Sequence, residues 1–212
     1  MSLGELWPQT GLIGLYHLES NANDSSGSGI NGSATGITYS QTYGKFNKGA
    51  YSNATAGNII NFGNNFNVTT GDMTWSMLIK LDTSADGSMF LSKGLYNGYG
   101  YYFQLSLNKV TFLSSQSGAN QRVSSAVTLS NGVWYHLVCI KSGTTITIYI
   151  NGHGDSGTII NPASNTANFT LFDYSTGGFP CKTSLDEVAI FNVAKSANWV
   201  RQQYALMTGK LD

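Results

Sequence analysis

Charge of either sign is scarce in this chain. Eleven basic and eleven acidic residues among 212 cancel to a formal net charge of zero, and charged residues make up only 10% of the sequence, against about 25% in an average domain. Proteins that bind nucleic acid by neutralising phosphates need a basic surface, so that class is excluded. Cysteine is almost absent. With only Cys139 and Cys181 present, at most one disulfide forms. Cys139 lies in an apolar strand pattern and reads as a small buried hydrophobe, whereas Cys181 follows Pro180 in a Gly-rich turn and its pairing stays open. Long apolar runs are missing too. No window approaches the ~18 consecutive apolar residues of a membrane span, and the first residues show neither the basic region nor the apolar stretch of a signal segment.

Asn, Ser, Thr and Gly replace charge as the solubilising surface, while 12% aromatics and many β-branched residues favour strands. This is the composition of an extracellular or virion-surface β protein. A length of 212 residues fits one domain with a proper core, residues 1–212 with 1–10 as an N-terminal arm. Alternation of apolar and polar residues predicts strands near 11–18, 31–39, 57–62, 72–82, 87–93, 100–107, 109–115, 121–128, 133–141, 144–151, 169–173 and 182–192. Asn131-Gly132, Ser142-Gly143 and Asn151-Gly152 are among the turns between them. Only residues 196–206 read as a helix, with Val200, Tyr204 and Met207 on one stripe and Ser196 as N-cap. The predicted fold is all-β, an antiparallel two-sheet sandwich with one short C-terminal helix.

The strand at 184–192, Ser-Leu-Asp-Glu-Val-Ala-Ile-Phe-Asn, runs into that helix. It resembles the closing motif of LamG-like jelly rolls, in the concanavalin A-like lectin and glucanase family. Gly11-Leu-Ile-Gly-Leu-Tyr-His-Leu18 with the loop at 21–29 is similar to the family's opening strand, and Lys45-Phe-Asn-Lys-Gly-Ala-Tyr51 to its next segment. Trp134-Tyr-His-Leu-Val138 and Ile146-Thr-Ile-Tyr-Ile-Asn-Gly152 resemble its central hairpin. The resemblance implies a concanavalin A-like jelly roll and a structural calcium ion. For that ion it points to Asp186, to Glu19 at the end of the first strand, to the Gly49 region and to Asp24. The bland alternative is that Asp186 accepts hydrogen bonds from loop amides and Asp24 caps an Asx-turn. The pleat sends Asp186 and its neighbour Glu187 to opposite faces.

Catalysis finds little support. Glucanase relatives place two carboxylates on a Glu-x-Asp-x-x-Glu strand, because retaining hydrolysis needs an acid and a nucleophile about 5 Å apart. Here Glu5, Glu19 and Glu187 are the only glutamates, and none is in that pattern. His17, His136 and His153 have no nucleophile motif beside them and read as structural. Trp75 and Trp134 read as core. Tyr96, Tyr99, Tyr101 and Tyr102, spaced by Gly94, Gly98 and Gly100, form a segment whose rings can stack on sugars or pack on a protein partner; of these Tyr96, Tyr99 and Tyr101 are the ligand candidates. The sequence thus predicts a non-catalytic LamG-like module that recognises carbohydrate or a surface glycan and carries a structural calcium. The rival reading is a virion protein, a phage head-decoration or tail-associated adhesion subunit. Its partner is then a host or virion surface protein, and a homo-oligomer stays open.

Overall fold

The computed structural model describes residues 7–83, 86–94, 98–174 and 176–208. Eight strands form one antiparallel sheet. Its order is β13 (His153–Thr158), β12 (Thr145–Ile150), β11 (Trp134–Ser142), β6 (Met73–Thr83), β15 (Lys182–Phe191), β4 (Gly49–Asn53) and β3 (Thr38–Ser40), with β1 (Leu12–Tyr16) also paired to β15. Seven strands form the second, in the order β10 (Ala119–Thr128), β9 (Lys109–Gln116), β8 (Tyr99–Ser106), β7 (Met89–Gly94), β14 (Thr170–Leu171), β5 (Ile59–Asn61) and β2 (Ser33–Thr35). This is the predicted two-sheet jelly-roll sandwich.

The core follows from the period of two along each strand. Trp75, Met77, Ile79 and Leu81 of β6 face Tyr101, Phe103 and Leu105 of β8 in one buried cluster. Trp75 is wholly enclosed there, its ring 4.8 Å from Tyr101 and 5.4 Å from Phe103. Trp134 departs from its reading as core. It lies half-buried on the outer face of the eight-stranded sheet, with the Lys80 ammonium 5.1 Å above its ring. Both cysteines are buried free thiols.

Two further differences have simple causes. The predicted strand at 31–39 is two strands, because Gly36 turns the chain at φ +66 and lets β2 enter one sheet and β3 the other. The strands β4 and β13 were not predicted, since Gly-Ala-Tyr-Ser-Asn and His-Gly-Asp-Ser-Gly-Thr carry no apolar alternation; they form by pairing with β15 and β12. The helix α1 (Ala197–Thr208) packs outside the sandwich on the eight-stranded sheet. Val200 packs with Val138 and Ile140, and Met207 with Leu78 and Phe191. Trp199 meets Phe191 edge-on at 5.3 Å. Ser196 is the N-cap, its Oγ accepting the Trp199 amide at 3.1 Å. Ser196→Ala should therefore cost about 1 kcal/mol and lower the calorimetric midpoint by roughly 2–4 °C, while Ser196→Thr should cost less.

Candidate functional site

The closing strand changes partners in its middle. Residues Lys182–Leu185 of β15 pair with β4, and Val188–Phe191 pair with β1. Between them lie Asp186 and Glu187. Register against β6 slips between Asp186 and Ala189, and Glu187 adopts φ +48, a β-bulge. The extra residue lets Leu185 and Val188 both join the core cluster. It also turns both carboxylates to groups on the outer side of the sheet, so the expectation of opposite faces is corrected: an unbroken pleat would have produced it, and the bulge breaks the pleat.

Each carboxylate holds a different segment. Glu187 is fully buried and accepts a hydrogen bond from Trp7 Nε1 at 3.0 Å. His17 Nδ1 lies 2.9 Å from both of its oxygens, and this hydrogen bond raises the His17 pKa above its ordinary value. Trp7 and His17 were not among the sequence candidates. Nothing in their local pattern shows that an arm and a first strand meet a carboxylate 180 and 170 residues away. Asp186 is also fully buried. Its Oδ2 accepts the amides of Lys45 at 2.7 Å and Phe46 at 2.8 Å, while Oδ1 has no hydrogen-bond partner among the described residues. Burial pushes its carboxyl up to about 7.

Glu19 reaches the same turn. Its Oε2 accepts the Lys48 amide at 3.0 Å and the Asn47 side-chain N–H. Asp186 and Glu19 thus grip residues 45–48 from two sides. Gly49 completes the turn, because a Cβ there would stand 2.3 Å from the Tyr43 carbonyl oxygen. Asp24 is differently employed. Its Oδ1 accepts the amides of Leu15 and Ser26, and its Oδ2 the Gly29 amide and the Ser28 hydroxyl. Burial would raise its pKa, but these amides win and hold it below the usual carboxylate value. With both oxygens committed, Asp24 fits the Asx-turn role and not that of an ion ligand. Among the described residues no three His, Cys, Asp or Glu side chains group as metal ligands, so an ion here would rest on Asp186, Glu19 and oxygens of the turn.

The Tyr/Gly segment divides. Tyr96 lies outside the described residues. Tyr99 is 44% exposed at the start of β8. Beside it Gly94 and Gly100 face each other across β7 and β8, where a Cβ on Gly100 would stand 2.0 Å from the Lys93 carbonyl oxygen. The Asn165 side-chain amide fills the space over Gly100, 2.5 Å from where a Cβ would stand. Lys93 braces this end from inside, its ammonium donating to Asn64 Oδ1 at 2.7 Å and to the Ala167 carbonyl; burial pushes its pKa down to about 8. Tyr101 is a correction. Its side chain points between the sheets, wholly buried, with the phenol donating to the Phe66 carbonyl at 2.8 Å. A sugar cannot reach it.

With the sandwich and these residues placed, comparison with known proteins is informative. The sequence profile of the concanavalin A-like lectin/glucanases superfamily matches residues 49–201. The binding domain of Paraclostridial mosquitocidal protein 1 superposes with a TM-score of 0.77 at 17% identity, over 92% of this chain and 52% of that one. Domain 4 of an extracellular arabinanase from Geobacillus stearothermophilus, solved with arabinotriose, gives 0.73 at 20% identity, over 93% of this chain and 100% of that one. The ligand-binding domain of botulinum neurotoxin serotype D, solved with N-acetylneuraminic acid, gives 0.69 at 13% identity, over 92% and 51%. This chain spans about half the length of the two toxin domains and all of the arabinanase domain. No curated protein sequence matches it. At such identities the superpositions establish the fold, and the profile covers well over half of the sequence: the chain belongs to the concanavalin A-like lectin/glucanase superfamily.

Proposed function

We propose that the chain is a non-catalytic carbohydrate-binding module whose closing-strand turn is held by calcium. The carrying observation is the contrast between its acids and its aromatics. Asp186 and Glu187 are sealed from solvent, so neither meets a substrate as hydrolysis requires. Tyr99 by contrast presents a ring open to solvent at the start of β8, suited to stacking on a sugar. Similar folds solved with arabinotriose and with N-acetylneuraminic acid support the ligand class. For the ion, Asp186 Oδ1 and the Glu19 carboxylate are the ligands, supported by an orphaned buried oxygen at the turn. Bound there, calcium would supply positive charge to two acids gripping one turn.

A glycan array with the wild type tests the class, and Tyr99→Ala tests the platform. Replacing Tyr99 should weaken retention of the best glycan about five- to tenfold, since a lost stacking contact of about 1–1.5 kcal/mol has that size. The melting curve should not move, because the ring contributes little to the core. Hydrolysis products appearing in the same incubations would refute the non-catalytic reading.

A further inference from the structure

At the other end of β8, on the outer face of the seven-stranded sheet, lies a cleft of about 360 Å³ lined by Asp86, Gly87, Met89, Gln104, Ser106, Arg122 and Phe179. Tyr101, Phe103 and Leu105 of β8 face the core, so Gln104 and Ser106 point outward from the intervening positions. Gln104 and Met89 are cross-strand partners and form the floor. Arg122 reaches in from β10. The volume is at the small end of ligand clefts, enough for one or two sugar rings.

The wall at Phe179 is constructed with care. The buried carboxylate of Asp173 accepts the Phe179 amide at 2.9 Å, and the Phe179 carbonyl accepts the Met89 amide, also at 2.9 Å. Tyr174 stands edge-on to the ring at 6.1 Å. Despite this anchoring the ring is 43% exposed. A bulky apolar side chain fixed on both sides of its backbone and left open is pre-organised for a partner, because the entropy of ordering it has been spent in folding.

The polar lining has spare capacity. Arg122 has no ion-pair partner among the described residues. Gln104 is buried as a residue, yet among the described residues no group donates to its side-chain amide or accepts from it. Asp86 uses Oδ1 for the Leu107 amide, and among the described residues its Oδ2 has no hydrogen-bond partner. The cleft therefore offers an acceptor, an amide of both kinds, a donor and an aromatic face. A purely anionic ligand would meet Asp86, and an apolar one would leave the polar groups unpaired. Hydroxyls that donate and accept at once, set around a ring with an apolar face, match all four.

We propose that this cleft binds the end of a neutral saccharide, with Phe179 stacking on the sugar ring and Asp86, Gln104 and Arg122 dividing its hydroxyls. This rests on the reading of the chain as a carbohydrate-binding module, and it adds a site separate from Tyr99. Gln104 lies five residue steps along β8 from Tyr99, about 17 Å along the strand, so one sugar ring does not span both.

Amide-resolved NMR titration of the full chain tests it, with arabinotriose, cellotriose and N-acetylneuraminic acid as probes. Arabinotriose or cellotriose should shift the amides of Gln104, Arg122 and Phe179. Phe179→Ala and Arg122→Ala should each weaken that binding about tenfold or more with an unchanged melting curve, and Phe179→Trp should keep it. Tyr99→Ala should leave the cleft shifts intact. Shifts confined to Tyr99 and its neighbours on β9 would overturn the cleft while sparing the carbohydrate reading. Shifts at the cleft from N-acetylneuraminic acid alone would overturn the neutral class. No shift from any probe would overturn both.

Discussion

Calcium at a hundredfold excess over its dissociation constant is expected to stabilise the chelator-treated protein by about 2.7 kcal/mol, raising the melting midpoint by roughly 5–10 °C for a domain of this size. Asp186 is the source of this effect. A fully buried carboxylate with one oxygen on two amides and the other without a partner carries a desolvation cost that a divalent cation would offset. Because only the folded chain brings residue 186 beside residues 19 and 45–48, the ion acts by mass action on the native state. Asp186→Asn removes the charge while keeping a carbonyl oxygen for the Lys45 and Phe46 amides. In chelator this variant should melt no lower than the wild type, and the calcium increment should vanish. Glu19→Gln should reduce the increment. Magnesium should replace calcium poorly, since it holds its waters and demands octahedral geometry. Superimposable melting curves in calcium and chelator would remove Asp186 and Glu19 as ligands.

The legibility of this chain follows what pairing depends on. Met73–Thr83 was readable because its apolar residues recur at every second position, and Lys182–Phe191 because Leu185, Val188, Ile190 and Phe191 mark it as apolar. The cap at Ser196 and the helix behind it were readable for the same local reason. Asp186 and Glu187 were visible as a pair, but their orientation was not. A bulge depends on how β6, β4 and β1 compete for one strand, and no local pattern records that competition. Tyr101 shows the complementary error. Four tyrosines among glycines look like a surface, yet register with Phe103 and Leu105 commits Tyr101 to the core, and among the described residues of the segment Tyr99, beyond the core's end, stays open. The cleft at Phe179 left still less trace. Its residues come from four separate stretches of chain, and the signal that existed was Gly177-Gly178-Phe179-Pro180, an aromatic in a turn without an apolar neighbour in sequence.

The second large effect concerns His136, which the sequence assigned to structure and which the fold makes a pH-dependent liability. Leu137 and Cys139 face the core, so His136 points outward from β11, under α1. There it is 1% exposed, with Nε2 3.0 Å from Ser76 Oγ and the Tyr204 ring stacked parallel at 6.4 Å. Among the described residues no carboxylate hydrogen-bonds to it, and burial pushes its pKa down to about 3. The folded chain therefore holds a neutral imidazole where the unfolded chain, titrating near 6.5, takes up a proton. A depressed histidine contributes its full stability above the unfolded pKa and loses it as pH falls towards the folded one. Between pH 8 and pH 5 the loss from this single group is about 2 kcal/mol. Asp186 and His17 are shifted upward and act with the opposite sign, favouring the folded state as pH falls. The quantity to measure is therefore the difference between wild type and His136→Gln, which keeps a hydrogen-bonding amide for Ser76 but cannot titrate. Urea midpoints at pH 8 should place the wild type above the variant or level with it. At pH 5 the wild type should have lost about 2 kcal/mol relative to the variant. Parallel stability profiles across that range would show that His136 is not held neutral in the folded chain.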